Sequence, residues 1–390
     1  MPYVNLSGLR SHNTARVLGL LRAAGEDGVS RLELAERTGL TPQAVSKISA
    51  RLRAEGLAAD AGRGPSTGGK PRTLLRLVPD AAHAVGLHLD RDRLTAVLVD
   101  LAGVTVAART AALDLGAGPG DVLAAAAAEV AALRGAGDAG LGAPREDGTG
   151  ASGDGPSRAE ASGAGALMGV GVAMPGPLDH VAGVPHRVTG FPAWDGFPLR
   201  DALRDALGRA LPGGADGPPV VLDKDTNAAA LALALREPGA GSFAYVHVGT
   251  GLGAGLVLGG ALYRGARTGA GEFGHQTVQL DGPPCGCGGR GCLEALCLAA
   301  VARGDLDGAA RVLGVGAANL AGLLDIDRVL LGGRVVASAP ERFVRGVGAA
   351  LAGRARRTGE PPVPAAPAPG GPHLVAEGAA QLVLAPVFGV

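Results

Sequence analysis

SRLELAERTGLTPQAVSKISARL, residues 30–52, reads as two short helices and the turn between them. Ser30 and Glu33 form a capping box, in which the hydroxyl satisfies a free helix N–H and the carboxylate reaches back. The helix they open should run to about Thr38 and bury Leu32, Leu34 and Ala35. Gly39 permits a tight turn, Thr41 caps the next helix and Pro42 suits its first position. There Val45, Ile48 and Leu52 recur three and four residues apart and should face a core, which turns Gln43, Ser46, Lys47 and Arg51 outward. Upstream, Val17, Leu18 and Leu21 share helical spacing. Downstream, Gly56-Leu57, a Gly/Pro/Ser stretch at 62–73 and the strand-like Leu74–Val78 complete a wing.

Helix, glycine turn, helix and wing make an α+β winged helix-turn-helix over residues 1–80. The start of the second helix reaches base edges in such a module, so Thr41, Gln43, Ser46 and Lys47 are expected to read bases. Arg51 and Arg53 should hold phosphates, while Lys70 and Arg72 on the wing could enter a minor groove. Charge agrees: residues 1–80 carry 12 Lys/Arg against 7 Asp/Glu, whereas the rest carries 24 against 29. A basic end on an acidic body fits nucleic acid at one end. A helical hairpin that merely docks on the rest of the protein would need neither the basic face nor the wing.

The remaining sequence alternates β and α signals. Ala84–Leu89, Leu94–Leu101, Thr105–Thr110, Ala166–Val172, Val220–Leu222, Phe243–Val248, Ala254–Leu258 and Val329–Leu331 read as strands. Val122–Leu133 and Ala228–Leu235 read as helices, giving an α/β core over 81–390. Residues 135–166, with 10 Gly in 32, are expected to be a disordered insertion. Residues 359–373, with 6 Pro in 15, should be a stiff connector. The first 25 residues have no continuous apolar core and no stretch approaches the length of a membrane span, so a cytoplasmic protein is expected.

Four cysteines crowd into 285–297. His275, Cys285, Cys287 and Cys292 follow H-x9-C-x-C-x4-C, a set able to hold Zn²⁺ in a tetrahedron, with glycines supplying the sharp turns. Four protein ligands leave no open position, so such a zinc is structural. Cys297 reads as a buried helix residue.

These residues resemble the ROK family of repressors, open reading frames and sugar kinases. GAGEFGH…CGCGGRGCLE (269–294) is similar to its zinc signature, VHVGTGLGAGLVLGG (246–260) to its second phosphate loop and LLGGRV (330–335) to its adenosine-side turn. MPGPLD (174–179) resembles the segment lining its sugar cleft, and the N-terminal motif resembles the repressor branch. The resemblance implies an actin-like, hexokinase-like (ribonuclease H-like) domain of two lobes closing on a sugar. By position, Asp225 in DKDTN matches the base that acts on the sugar hydroxyl, Glu272 and Glu294 match hydroxyl acceptors, and His275 links zinc to the sugar site. Read from local pattern alone, Asp225 would cap the helix that follows.

Active kinases carry D-x-G-G-T-K near the first strand. Here His88 stands at the Asp, Asp90 and Arg91 at the two glycines, Asp92 at the Thr and Arg93 at the Lys. Side chains at 90 and 91 should block backbone approach to phosphates. Lys224 replaces a sugar-contacting Asn and could pair with an anionic ligand or neutralise Asp225. The segment after Glu294 is shorter than usual, so part of one lobe's helical layer is expected to be reduced. The resemblance thus implies a non-enzymatic sugar-responsive regulator, a repressor acting as a homodimer or homotetramer on an inverted-repeat operator. The alternative is an ATP-dependent sugar kinase with an added DNA-binding module.

Overall fold

The computed structural model describes residues 12–63, 72–140, 165–212, 216–237, 239 and 241–389. The chain begins with α1 (His12–Ala24), β1 (Val29–Ser30), α2 (Arg31–Thr38), α3 (Pro42–Ala54), β2 (Ala58–Arg63) and β3 (Thr73–Leu77). The three strands form a small sheet in the order β1-β3-β2. Ser30 Oγ accepts from Glu33 N at 3.2 Å, and Thr41 Oγ1 from Ala44 N at 3.2 Å, so both caps form. Only half of the capping box does: the Glu33 carboxylate turns to Arg37, one turn along, at 3.4 Å. Leu32 is 43% exposed, because Leu34, Ala35 and Thr38 take the buried face and Leu32 lies on the other side. In α3 the fully buried stripe is Val45, Ser49 and Leu52, and Ile48 is half-buried at its flank.

Two five-stranded sheets of one design follow. β4 (Ala82–Leu89), β5 (Arg93–Asp100) and β6 (Thr105–Ala112) run antiparallel, with β7 (Ala166–Met174) parallel to β4 and β10 (Val220–Lys224) parallel to β7. Between β7 and β10 lies the short pair β8 (Leu178–Asp179) and β9 (Val184–Pro185). In the second sheet β11 (Phe243–Val248), β12 (Leu252–Leu258) and β13 (Ala261–Tyr263) are antiparallel, with β14 (Arg328–Gly332) parallel to β11 and β15 (Ala365–Pro367) parallel to β14. This repeated order is the two-lobed actin-like architecture.

The first sheet is covered on one face by α4 (Pro119–Gly140) and α5 (Leu199–Ala210), which bury Val85, Leu87, Val172 and Trp194. Trp194 Nε1 donates to the Leu115 carbonyl at 3.0 Å, so its one polar atom is satisfied. On the second sheet, α7 (Leu293–Ala302), α8 (Leu306–Leu324) and α10 (Pro340–Thr358) bury Leu313, Phe343 and Val347, while α9 (Arg334–Ser338) is a single short turn. The layer after Glu294 is therefore filled, because α8 and α10 pack at glycines: a methyl on Gly346 would lie 2.6 Å from Ala310 Cβ.

Of the expected insertion, residues 141–164 lie outside the described residues. Its flanks are regular: α4 continues to Gly140 and β7 starts at Ala166. Residues 359–373 are not only a connector, since they contain β15, an edge strand where proline costs no ladder hydrogen bond on the open side. Among the described residues no helix is long and apolar enough to cross a membrane.

The last helix, α11 (Leu374–Leu384), lies against α6 (Asp225–Arg236) and the first sheet. Methyl groups at Gly86 and Gly171 would overlap the Ala376 and Ala379 carbonyls, and one at Gly378 would overlap the Ala228 carbonyl. Beyond α11, Val387 and Phe388 join one continuous core with Leu18 and Leu21 of α1, Val45 and Leu52 of α3, and Val97 and Val99 of β5. Arg22 of α1 stacks on Phe388 with 4.8 Å between Cζ and the ring centroid. Gly171→Ala should destabilise the protein by about 1–3 kcal/mol through overpacking. Gly120→Ala, whose new methyl meets nothing within 4 Å, should be neutral or gain up to about 1 kcal/mol; urea midpoints for the two variants check the contrast.

Candidate ligand cleft, metal centre and nucleic-acid face

β10 passes directly into α6, so Lys224 and Asp225 stand at the strand's C-terminal end, where open α/β folds place their ligands. A short 3₁₀ turn, Phe273–His275, carries His275 just after Glu272, and Glu294 sits in the first turn of α7. The structure brings all five expected residues to one cavity, together with Asp90, Arg91 and Thr250.

Asp225 is the first residue of α6 rather than its cap, and Oδ1 accepts from Thr226 N at 2.6 Å. Burial pushes its carboxyl up to about 7, with Asp90 and Glu272 acting in the same direction. The Lys224 charge opposes that rise only in part, because it is engaged elsewhere. Its ammonium donates to Glu272 Oε1 at 3.1 Å and to the Ala270 carbonyl, because the side chain runs beneath Gly176 toward the 270–272 loop. Glu294 Oε2 accepts from Leu252 N at 2.8 Å, which ties α7 to the second glycine loop.

Asp223 escaped the sequence reading. It is fully buried, accepts from Lys224 N and from Asn227 Nδ2 at 2.7 Å, and pairs with Arg264 Nε at 2.6 Å. The signal was its place in the same D-K-D-T-N run, where only the second Asp was given a role. Asp223 fixes the strand-to-helix turn on which Asp225 sits.

The first loop, between β4 and β5, is not a glycine cradle. Asp90 Oδ1 accepts from Arg91 N at 2.8 Å and from Thr250 Oγ1 at 2.9 Å. Asp92 takes a two-pronged pair from Arg334 at 2.8 and 3.1 Å, and Arg334 also lies 4.0 Å from Asp90. These bonds cross from the first lobe to the glycine turns of the second. Burial pushes His88 down to about 4, so a neutral imidazole stands at the end of β4.

His275, Cys285, Cys287 and Cys292 offer ligand atoms that all lie within 4.8 Å of one another. His275 Nδ1 is 3.7 Å from Cys285 Sγ, and Cys287 Sγ is 3.7 Å from Cys292 Sγ. Edges of about 3.8 Å are what a tetrahedron of ~2.3 Å metal–sulfur bonds requires. Burial pushes the Cys292 thiol up to about 12, so a full set of thiolates needs a cation among them. The four residues therefore form a group able to hold a metal ion. Cys297 is separate: it is buried in α7, with Sγ 3.7 Å from the Ala309 carbonyl. His275 lines the ligand cavity as well, so the metal group and the cleft share a residue.

On α3, Gln43, Ser46 and Lys47 are exposed beside the Thr41 cap. Arg51 and Arg53 have partners within the fold: Arg51 Nη2 donates to Thr14 Oγ1 at 2.6 Å, and Arg53 pairs with Asp60 on the wing at 3.1 Å. Arg72 is exposed at the wing's return, and Lys70 lies outside the described residues.

The raised Asp225 acidity has a signed consequence. Between about pH 4 and pH 7 the folded state holds a proton that the unfolded state has released, so stability falls as pH rises through that window. Asp225→Asn removes this term. Its melting temperature relative to the parent should therefore climb by a few degrees from pH 4.5 to pH 8, measured by thermal melts across that range.

The family model described as ROK family matches residues 158–303. A kanosamine kinase of Amycolatopsis mediterranei is 34% identical over 233 residues, covering 52% of this chain and 72% of that protein. A xylose repressor of Bacillus spizizenii is 25% identical over 270 residues, covering 68% of this chain and 61% of the repressor. The chain thus spans about three-fifths of the xylose repressors it matches. The crystal structure of a ROK family transcriptional regulator, a homolog of the E. coli MLC protein, superposes with a TM-score of 0.72. That match covers 97% of this chain and 98% of the other at 18% identity, a likeness of fold. With the family's model matched across the cleft and the cysteine loop, and a relative above 30% identity aligned over most of its length, the chain belongs to the ROK family.

Proposed function

We propose that this protein is a DNA-binding transcriptional regulator, acting as a repressor. Residues 1–80 hold an operator, and residues 81–390 sense a sugar or sugar derivative. The observation that carries this reading is the continuous core joining α1 and α3 to β5, α11 and Phe388. A DNA-reading unit welded to the sheet beside the cleft can respond to what the cleft binds, whereas a loosely tethered one could not. The xylose repressor among the relatives supports the same reading.

The rival is an ATP-dependent sugar kinase, favoured by the poised acidity of Asp225 and by the kanosamine kinase relative. Against it stand Asp90 and Arg91 in place of phosphate-cradling glycines, and Arg334 held by Asp92 where a nucleotide's phosphates would need room. Glu272, Glu294 and Asp225 suit sugar hydroxyls, since each carboxyl accepts directional pairs of bonds. ATP turnover with any hexose, abolished by Asp225→Asn, would overturn the regulator reading.

In this reading a homodimer or homotetramer sets two copies of α3 on the halves of an inverted repeat, about one helical turn or a multiple apart. Thr41, Gln43, Ser46 and Lys47 meet base edges. Arg51, Arg53, Lys70 and Arg72 lie toward the backbone or the minor groove. The bound metal is Zn²⁺ in a structural role, since four protein ligands leave no position for chemistry. It holds the 275–292 loop so that His275 faces the cleft.

Gln43→Ala with Lys47→Ala should weaken binding to DNA upstream of the protein's own gene at least about tenfold by gel shift, with an unchanged melting temperature. Arg51→Ala should lower the melting temperature as well, since it also removes the hydrogen bond from Arg51 to Thr14. Cys285→Ser with Cys292→Ser should abolish bound zinc, about one ion per chain by elemental analysis in the parent, and lower the melting temperature by several degrees.

A further inference from the structure

Nearly every ionised side chain around the inner cavity is answered by a neighbour. Lys224 meets Glu272, Asp90 meets Thr250 and the Arg91 N–H, and Glu294 meets the Leu252 N–H. Arg91 differs. Its guanidinium lines the cavity and lies 5.7 Å from the centroid of the Phe191 ring. Among the described residues its guanidinium makes no ion pair and no hydrogen bond.

Its direction is fixed by the loop. A methyl added at Gly251 would lie 3.3 Å from Arg91 Nη2 and 3.3 Å from Glu294 Oε2. Guanidinium and carboxylate thus flank one small space above the second glycine turn, beside Asp225. Arg91 comes from the first lobe and Gly251 from the second, so a group seated there touches both.

A neutral sugar is already served by the carboxylates, which accept from its hydroxyls. A guanidinium only donates, and its planar fork matches two oxygens of a phosphate or carboxylate. Closing the cleft over an unpaired guanidinium costs its hydration unless the ligand brings the compensating charge. We infer that the ligand of this cleft is an anionic sugar, a sugar phosphate or a sugar acid, with its charged group seated on Arg91. This rests on the sugar-sensing reading above and names the class of sugar. The ligand bridges the lobes with its anion paired to Arg91 of the first lobe and a sugar hydroxyl donating to Glu294 of the second, so the charge favours the closed cleft.

The test is titration calorimetry on the full-length, zinc-loaded protein. The probes are glucose, mannose, xylose and N-acetylglucosamine, each beside its terminal phosphate, with glucuronate as the acid and inorganic phosphate as the control. At least one phosphate or the acid should bind about tenfold or more tightly than its neutral parent, and the preference should shrink as salt rises. Arg91→Gln should erase that preference while leaving affinity for the neutral parent within about threefold, and Arg91→Lys should keep part of it. Which anion is preferred separates phosphate ester from acid.

Equal affinity for neutral and charged forms, or a preference that survives Arg91→Gln, overturns the inference and leaves sugar sensing standing. If a protein with its normal melting temperature binds none of these sugars, charged or neutral, the sugar-sensing reading itself fails and takes this inference with it.

Discussion

Helix α11 lies against backbone rather than against side chains, and much of the molecule's organisation depends on that approach. Gly86 and Gly171 remove the two methyl groups that would lift it off β4 and β7, and Gly378 removes the one that would part it from α6. At such distances a core behaves as a rigid solid, and small displacements are transmitted instead of absorbed. One face of α11, with Leu374, Val375 and Ala379, packs with α6, Phe243 and Tyr245 at the join of the lobes, whereas another, with Ala376, Ala380, Val383 and Leu384, belongs to the core beneath α1 and α3. One helix therefore touches the element that begins with Asp225 and the module that carries Lys47.

The cleft itself is a balanced set of charges. Buried Lys224 would be costly alone and is tolerated because Glu272 and a backbone carbonyl take its protons. Asp223 is likewise bracketed by Arg264 and Asn227. With those pairs satisfied, the groups left for a ligand are few: the second oxygens of Glu272 and Glu294, the half-buried Asp225, and Arg91. That leaves three acceptors and one donor fork facing the cavity.

How legible this was in the amino-acid sequence depended on how local each feature is. The N-terminal caps, the α3 face and the H-x9-C-x-C-x4-C set are short-range patterns, and the structure forms them as spaced. Errors came where a tertiary neighbour outbid a local rule. Glu33 preferred Arg37 to the Ser30 N–H, and Ser49 took a core place expected for Ile48. The pairing of Arg334 with Asp92 spans 242 residues, and no spacing rule could announce it. Nor did the run 359–373 advertise β15, since proline on an edge strand reads like proline in a linker.

On the side of the cleft formed by the 88–93 loop, three interactions join the lobes. Thr250 with Asp90 is a single hydrogen bond, the Arg334 pair with Asp92 is solvent-exposed, with Arg334 38% and Asp92 55% accessible, and Arg334 lies a long 4.0 Å from Asp90. Pairs of that kind contribute about 0–1 kcal/mol each. That side of the cleft is therefore weakly held, within reach of a ligand that favours one lobe arrangement by a few kcal/mol, whereas Lys224 with Glu272 and Asp223 with Arg264 join the lobes at the end of β10. The contacts beneath α11 are of another order, with backbone against backbone and a core of fully buried side chains. Opening should therefore occur at the Asp92–Arg334 side while the α6–α11 side acts as the pivot, and that pivot adjoins the core of α1 and α3, so a small rotation there would be passed on to the N-terminal module.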